Sequence, residues 1–230
     1  MPEFRTTKCS QHGHRELTVK ITSPVPNLHT MLTDYVEGAV AKGTKFLPGE
    51  TLQLGWSTLK FIDRPDGTLG VQERELTPEE QWTESAQRAL VDLWTQREIA
   101  SSLGLSDELD FPKQTDDMLI YRCVTDETEG FVLNRMPKEE DLPPGFSGWS
   151  LSCTQRHEHG EVDVVPLLAI AANQPGLVQL LALPHGCTAL VTWEAKPDAP
   201  VGRKRIVPRI FRDGEELKPA DGTYLAALQA

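Results

Sequence analysis

The chain has 230 residues and a net charge of -11, with 39% hydrophobic and 25% charged residues. Those proportions suit a globular protein with a real core, as one large domain or two small ones, and argue against wholesale disorder. So acidic a balance argues against a general nucleic-acid or anionic-membrane binder, which needs a basic face, and suits plain solubility or a basic protein partner.

Residues 1–18 lack the apolar core of a secretory signal, and 1–16 read as a mobile leader. No stretch approaches the ~20 apolar residues that span a bilayer. A cytoplasmic protein without membrane contact is the expectation. Leu17, Val19 and Ile21 alternate as a strand, stopped by Pro24 and Pro26. Leu28, Met31, Leu32, Tyr35 and Val36 line one face of a helix over 27–40. A hairpin follows, with Leu52, Leu54, Trp56 and Phe61 in its first arm, a turn at Arg64-Pro65-Asp66-Gly67, and a return arm over 69–76. Thr77, Pro78 and Glu80 have the form of a capping box, and Trp82, Ala86, Ala89, Leu90, Leu93, Ala100 and Leu103 recur at helical steps. The pattern predicts a helix over 78–103, closing an N-terminal domain over 17–104.

Residues 105–117 are polar, contain Phe111-Pro112 and read as a linker. A second domain is expected over 118–195. Its strands lie near 118–124, 131–133, 148–153 and 187–193, and its short helical or turn-rich runs over 164–173 and 176–183. Basic Arg203-Lys204-Arg205 precedes a terminal hairpin of limited burial within 196–230. The fold class expected is α+β: two small mixed domains, each a mostly antiparallel sheet with packed helices.

The cysteines Cys9, Cys123, Cys153 and Cys187 form no CxxC pair and read as buried free thiols. His157, His159, Glu161 and Asp163 are dense enough to suggest a metal-dependent hydrolase, but their spacing is not that of a helical HExxH. Cys9, His12 and His14 make a second cluster in the leader. Neither is read as a metal site, and neither a metal nor a cofactor is expected. No GxSxG, GxxxxGK[ST] or GxGxxG motif is present, so no catalytic residue is assigned. Acidic runs at 126–129, 139–141 and 158–163 crowd the second domain, with Trp149 as the aromatic among them. Glu139, Glu140, Asp141, Trp149, His157, Glu158, His159, Glu161 and Asp163 are the expected partner-binding residues.

Three segments recur in a known order: Ser147-Gly148-Trp149-Ser150-Leu151, then Pro166-Leu167-Leu168-Ala169-Ile170-Ala171-Ala172-Asn173-Gln174-Pro175, then Leu180-Leu181-Ala182-Leu183-Pro184-His185-Gly186. With the acidic loop between the first two, residues 130–194 resemble a bacterial family first described as a domain of unknown function and later grouped with the immunity proteins of polymorphic toxins. His157 and His159 stand where that family mostly carries carboxylates. The resemblance implies a non-catalytic protein that neutralises a cognate toxin or secreted effector by stoichiometric binding. The alternatives are an adaptor or chaperone that loads an effector, and the metal-dependent hydrolase.

Overall fold

The computed structural model describes every residue except 24, 78, 126–127, 138–142, 156 and 196–203, with backbone alone at 195 and 204. The chain separates into two compact units, Met1–Trp94 and Thr95–Ala230. Residues 105–117, read above as a linker, belong to the second. Each unit is built on one mixed sheet, so the fold class is α+β, as the sequence led one to expect.

In the first unit, β1 (Glu3–Arg5), β2 (Leu17–Lys20), β3 (Thr51–Leu54), β4 (Ser57–Asp63), β5 (Leu69–Arg74) and β6 (Trp82–Thr83) form a sheet. Its order is β1-β2-β5-β4-β3, with β6 also on β5. Only the β2–β5 pair is parallel. The expected hairpin is present: Asp63 faces Leu69 across the 64–67 turn. Its first arm folds back at Gly55, making β3 and β4 separate strands. Helix α1 (Thr30–Ala41) lies against β2 and buries Leu32, Val36 and Val40, while Tyr35 stays exposed.

Two expectations change here. The leader carries structure: Phe4 pairs with Val19, Phe4 stacks on His29, and Cys9 is buried in a 3-10 turn, Cys9–His12. The long helix starts later, as α2 (Gln87–Ser102), because Trp82 is drawn into β6 opposite Arg74. Thr77 does not cap; its hydroxyl donates to Glu79 O (2.9 Å). The first turn is capped instead by Ser85 Oγ, which accepts from Gln87 N–H (2.9 Å), and by Glu73 from β5, which accepts from Ala89 N–H (2.8 Å).

The second unit contains β7 (Asp117–Tyr121), β8 (Gly130–Arg135), β9 (Phe146–Cys153), β10 (Val162–Pro166), β11 (Cys187–Ala195), β12 (Lys204–Arg212) and β13 (Glu215–Leu217). Their order is β10-β7-β9-β8-β11-β12-β13, parallel only at β7–β9. Helix α3 (Leu167–Asn173) and a 3-10 turn, Pro175–Leu180, bury Leu167, Leu168, Leu177 and Leu180. The helical run expected from 164 begins at Leu167 because Val164 and Val165 pair with β7. The terminal hairpin is better buried than expected, with Ile210 inside, and it is followed by α4 (Tyr224–Gln229) against β12. Among the described helices none is long and apolar enough to cross a membrane.

Trp149 sits where β9 bulges. Asp117 pairs with Phe146 but Leu119 with Ser150, so β9 spends two extra residues there. Gly148 (φ 78°) makes the kink possible. The indole turns inward, its Nε1–H donating to Leu181 O (3.0 Å), and the Arg135 guanidinium from β8 lies over its ring. Arg135 is itself buried and donates to the carbonyls of Asp110 (2.7 Å) and Leu183 (2.6 Å) and to Asp110 Oδ2 (2.9 Å).

Candidate functional site

Because β7 and β9 run parallel, with Ile120 beside Leu151, their C-terminal ends stop side by side. Cys123 follows β7 through a turn closed by Val124 N–H donating to Tyr121 O (2.9 Å). Cys153 is the last residue of β9. Strand β10 returns antiparallel to β7, Val162 opposite Tyr121, so residues 157–161 lead into it from the same end of the sheet. This segment carries His157 and His159, and Gly160 (φ 70°) turns it back toward β10.

The outcome is one cluster of Cys123, Cys153, His157 and His159, whose ligand-type atoms all lie within 4.8 Å of one another. Cys153 Sγ is 3.0 Å from His157 Nε2 and 3.8 Å from His159 Nδ1, and Cys123 Sγ is 3.3 Å from the same Nδ1. Cys153 is buried, Cys123 and His159 are half-buried, and His157 reaches the surface. Burial pushes the Cys153 thiol above its ordinary pKa, opposed by the backbone N–H of Gln155, which donates toward the sulphur, while the neighbouring Cys123 raises it further. His157 Nδ1 lies 2.9 Å from Glu158 O, and the Tyr121 ring packs on His159. Two sulphurs and two imidazole nitrogens facing one point are a donor set that a soft or borderline divalent cation accepts.

The other expected residues are placed differently. Glu158 is exposed. Glu161 and Asp163 are exposed but engaged by Arg122, whose Nη1 donates to Glu161 and whose Nε and Nη2 reach Asp163 (3.0 and 2.9 Å). Those bonds hold the Asp163 carboxyl below its usual pKa. Trp149 is fully buried and cannot meet a partner without unfolding; it is a core residue. Glu139, Glu140 and Asp141 lie outside the described residues.

The hydrolase set is not assembled as the sequence suggested. Its histidines face cysteines, and its carboxylates face Arg122. The leader cluster does not form either: His14 Nε2 accepts from Phe46 N–H (2.9 Å) and its Nδ1 lies 2.7 Å from Arg15 O. Cys123 and Cys153 are the residues that sequence reasoning missed. A local signal existed in Cys153-x3-His157-x-His159, but the fourth member comes from the next strand of the sheet.

No protein family matches this chain, and no curated protein or solved structure matches it either.

Proposed function

We propose that the chain acts by binding another protein, as an immunity protein that neutralises a toxin or secreted effector by one-to-one association. The observation that supports binding is the edge strand β10. It is the outermost strand of its sheet, and its Val162 and Val164 expose 40% and 61% of their surface. Exposed strand edges are usually blunted by charge, proline or a bulge, since they pair readily with another chain. Here two exposed valines at alternate positions share one face of the outermost strand, with Asp163 and Pro166 in the same strand. An added strand would find main-chain hydrogen bonds and apolar anchors together. The net charge of -11 favours a partner with a basic surface. That this partner is a toxin rests on the resemblance of residues 130–194.

Affinity capture of the tagged chain from its native host, followed by titration against the captured protein's activity, tests the reading. Activity should fall to background at one equivalent. Val164→Lys should weaken association at least ~10-fold, about 1.4 kcal/mol, without lowering the melting temperature. A captured partner whose activity is untouched would move the chain to the adaptor reading. Unchanged affinity in Val164→Lys and Val162→Lys would remove β10 as the contact.

A further inference from the structure

We propose that Cys123, Cys153, His157 and His159 bind one Zn2+ ion, as a structural centre that fastens residues 157–161 to the ends of β7 and β9. Zinc bonds of about 2.3 Å to sulphur and about 2.0–2.1 Å to nitrogen set tetrahedral ligand atoms roughly 3.3–3.8 Å apart. The separations here are 3.0, 3.3 and 3.8 Å, with every pair inside 4.8 Å. The side chains already converge on a point the size of the ion.

The surroundings are those of a ligand set. Metal-bound imidazoles donate their other ring N–H to a fixed acceptor, which sets the tautomer. His157 turns Nε2 toward Cys153 and has Glu158 O 2.9 Å from Nδ1 to receive that proton. Zinc is the ion of choice for a mixed sulphur–nitrogen tetrahedron, whereas oxygen-rich sites suit magnesium, calcium and manganese. Four protein ligands fill the shell and leave no position for substrate, which is the pattern of a structural centre. On binding, two thiol protons pass to solvent as the dication enters, so the net charge of the site does not change. Zinc content is read on the isolated chain and does not depend on the partner proposed above.

The test is metal analysis of the full chain purified without chelator or added metal, alongside Cys153→Ser, His159→Asn and, as a control, the buried Cys187→Ser. One zinc per chain is expected in the unaltered chain and in Cys187→Ser, with loss to background in the two ligand variants. Reconstitution of the chelator-stripped chain with cobalt(II) gives a second reading that needs no variant. Thiolate-to-cobalt charge transfer with tetrahedral d–d bands is expected. A zinc content equal in the unaltered chain and the ligand variants would overturn the site, as would a Cys123–Cys153 disulfide in a metal-free preparation. Cobalt spectra without charge transfer, or iron in place of zinc, would overturn the assignment of ion and ligands.

Discussion

Replacing Asp92 by asparagine should stabilise the first unit, and only above mildly acidic pH. Asp92 lies on α2 and its Oδ2 accepts from Trp56 Nε1–H (3.0 Å). Burial pushes its carboxyl from 3.8 up to about 6, against the opposing pull of Trp56 and Arg88. In the unfolded chain the group returns near 3.8. Between those values the folded chain holds a proton that the unfolded chain has lost. Stability therefore falls as pH rises from about 4 to about 6, and the penalty persists above. A gap of about 2 pKa units at 1.36 kcal/mol each gives about 3 kcal/mol. The residue keeps some exposure, so solvent screening brings the expected effect to about 2 kcal/mol. Asparagine retains an acceptor for Trp56 and carries no charge. Urea unfolding of both chains across this range is the assay. The variant should match the unaltered chain near pH 4 and exceed it by about 2 kcal/mol near pH 7. A gain independent of pH, or a loss at pH 7, would refute the reasoning.

Trp149→Ala should cost about 3–5 kcal/mol in denaturant unfolding, since it empties a core position and leaves the Leu181 carbonyl only its longer bond from Arg135 Nη1 (3.3 Å). A cost below about 1 kcal/mol would contradict its burial and reopen a role at the surface. Gly130→Ala should lower the melting temperature by the equivalent of about 1–3 kcal/mol. Its Cβ would lie 3.0 Å from Thr154 Cγ2 and 3.1 Å from the Val191 carbonyl oxygen, where the backbone of β11 cannot yield; an unchanged midpoint would show that β8 and β11 can move apart.

Much of the sheet framework was legible because its signals are local. The alternation of Leu17 and Val19, and the Pro-Asp-Gly turn before Leu69, each specify a strand or a reversal from a few adjacent residues. The same locality misled at the start of α2. Thr77 and Glu80 have the right spacing for a capping box, but the pairing of Trp82 with Arg74 and the reach of Glu73 from β5 set the helix start. Trp149 reads as a partner-binding aromatic because acidic runs crowd the sequence around it. Only the bulge at Gly148, visible once β7 and β9 are paired, turns the indole inward. The cysteine–histidine cluster was the least legible feature. Its histidines lay in a hydrophilic loop and its cysteines seemed unrelated, and the parallel β7–β9 pairing that unites them leaves no local trace. Acidic Glu161 and Asp163 were visible as charges, whereas their neutralisation by Arg122 required the β7–β10 register.

Zinc K-edge X-ray absorption of the purified chain reads the ligands of the Cys123, Cys153, His157 and His159 centre themselves. Two sulphur neighbours at about 2.3 Å and two nitrogen neighbours at about 2.0–2.1 Å are expected, with imidazole scattering beyond them. A first shell without sulphur, or one with open positions filled by water, would contradict that centre.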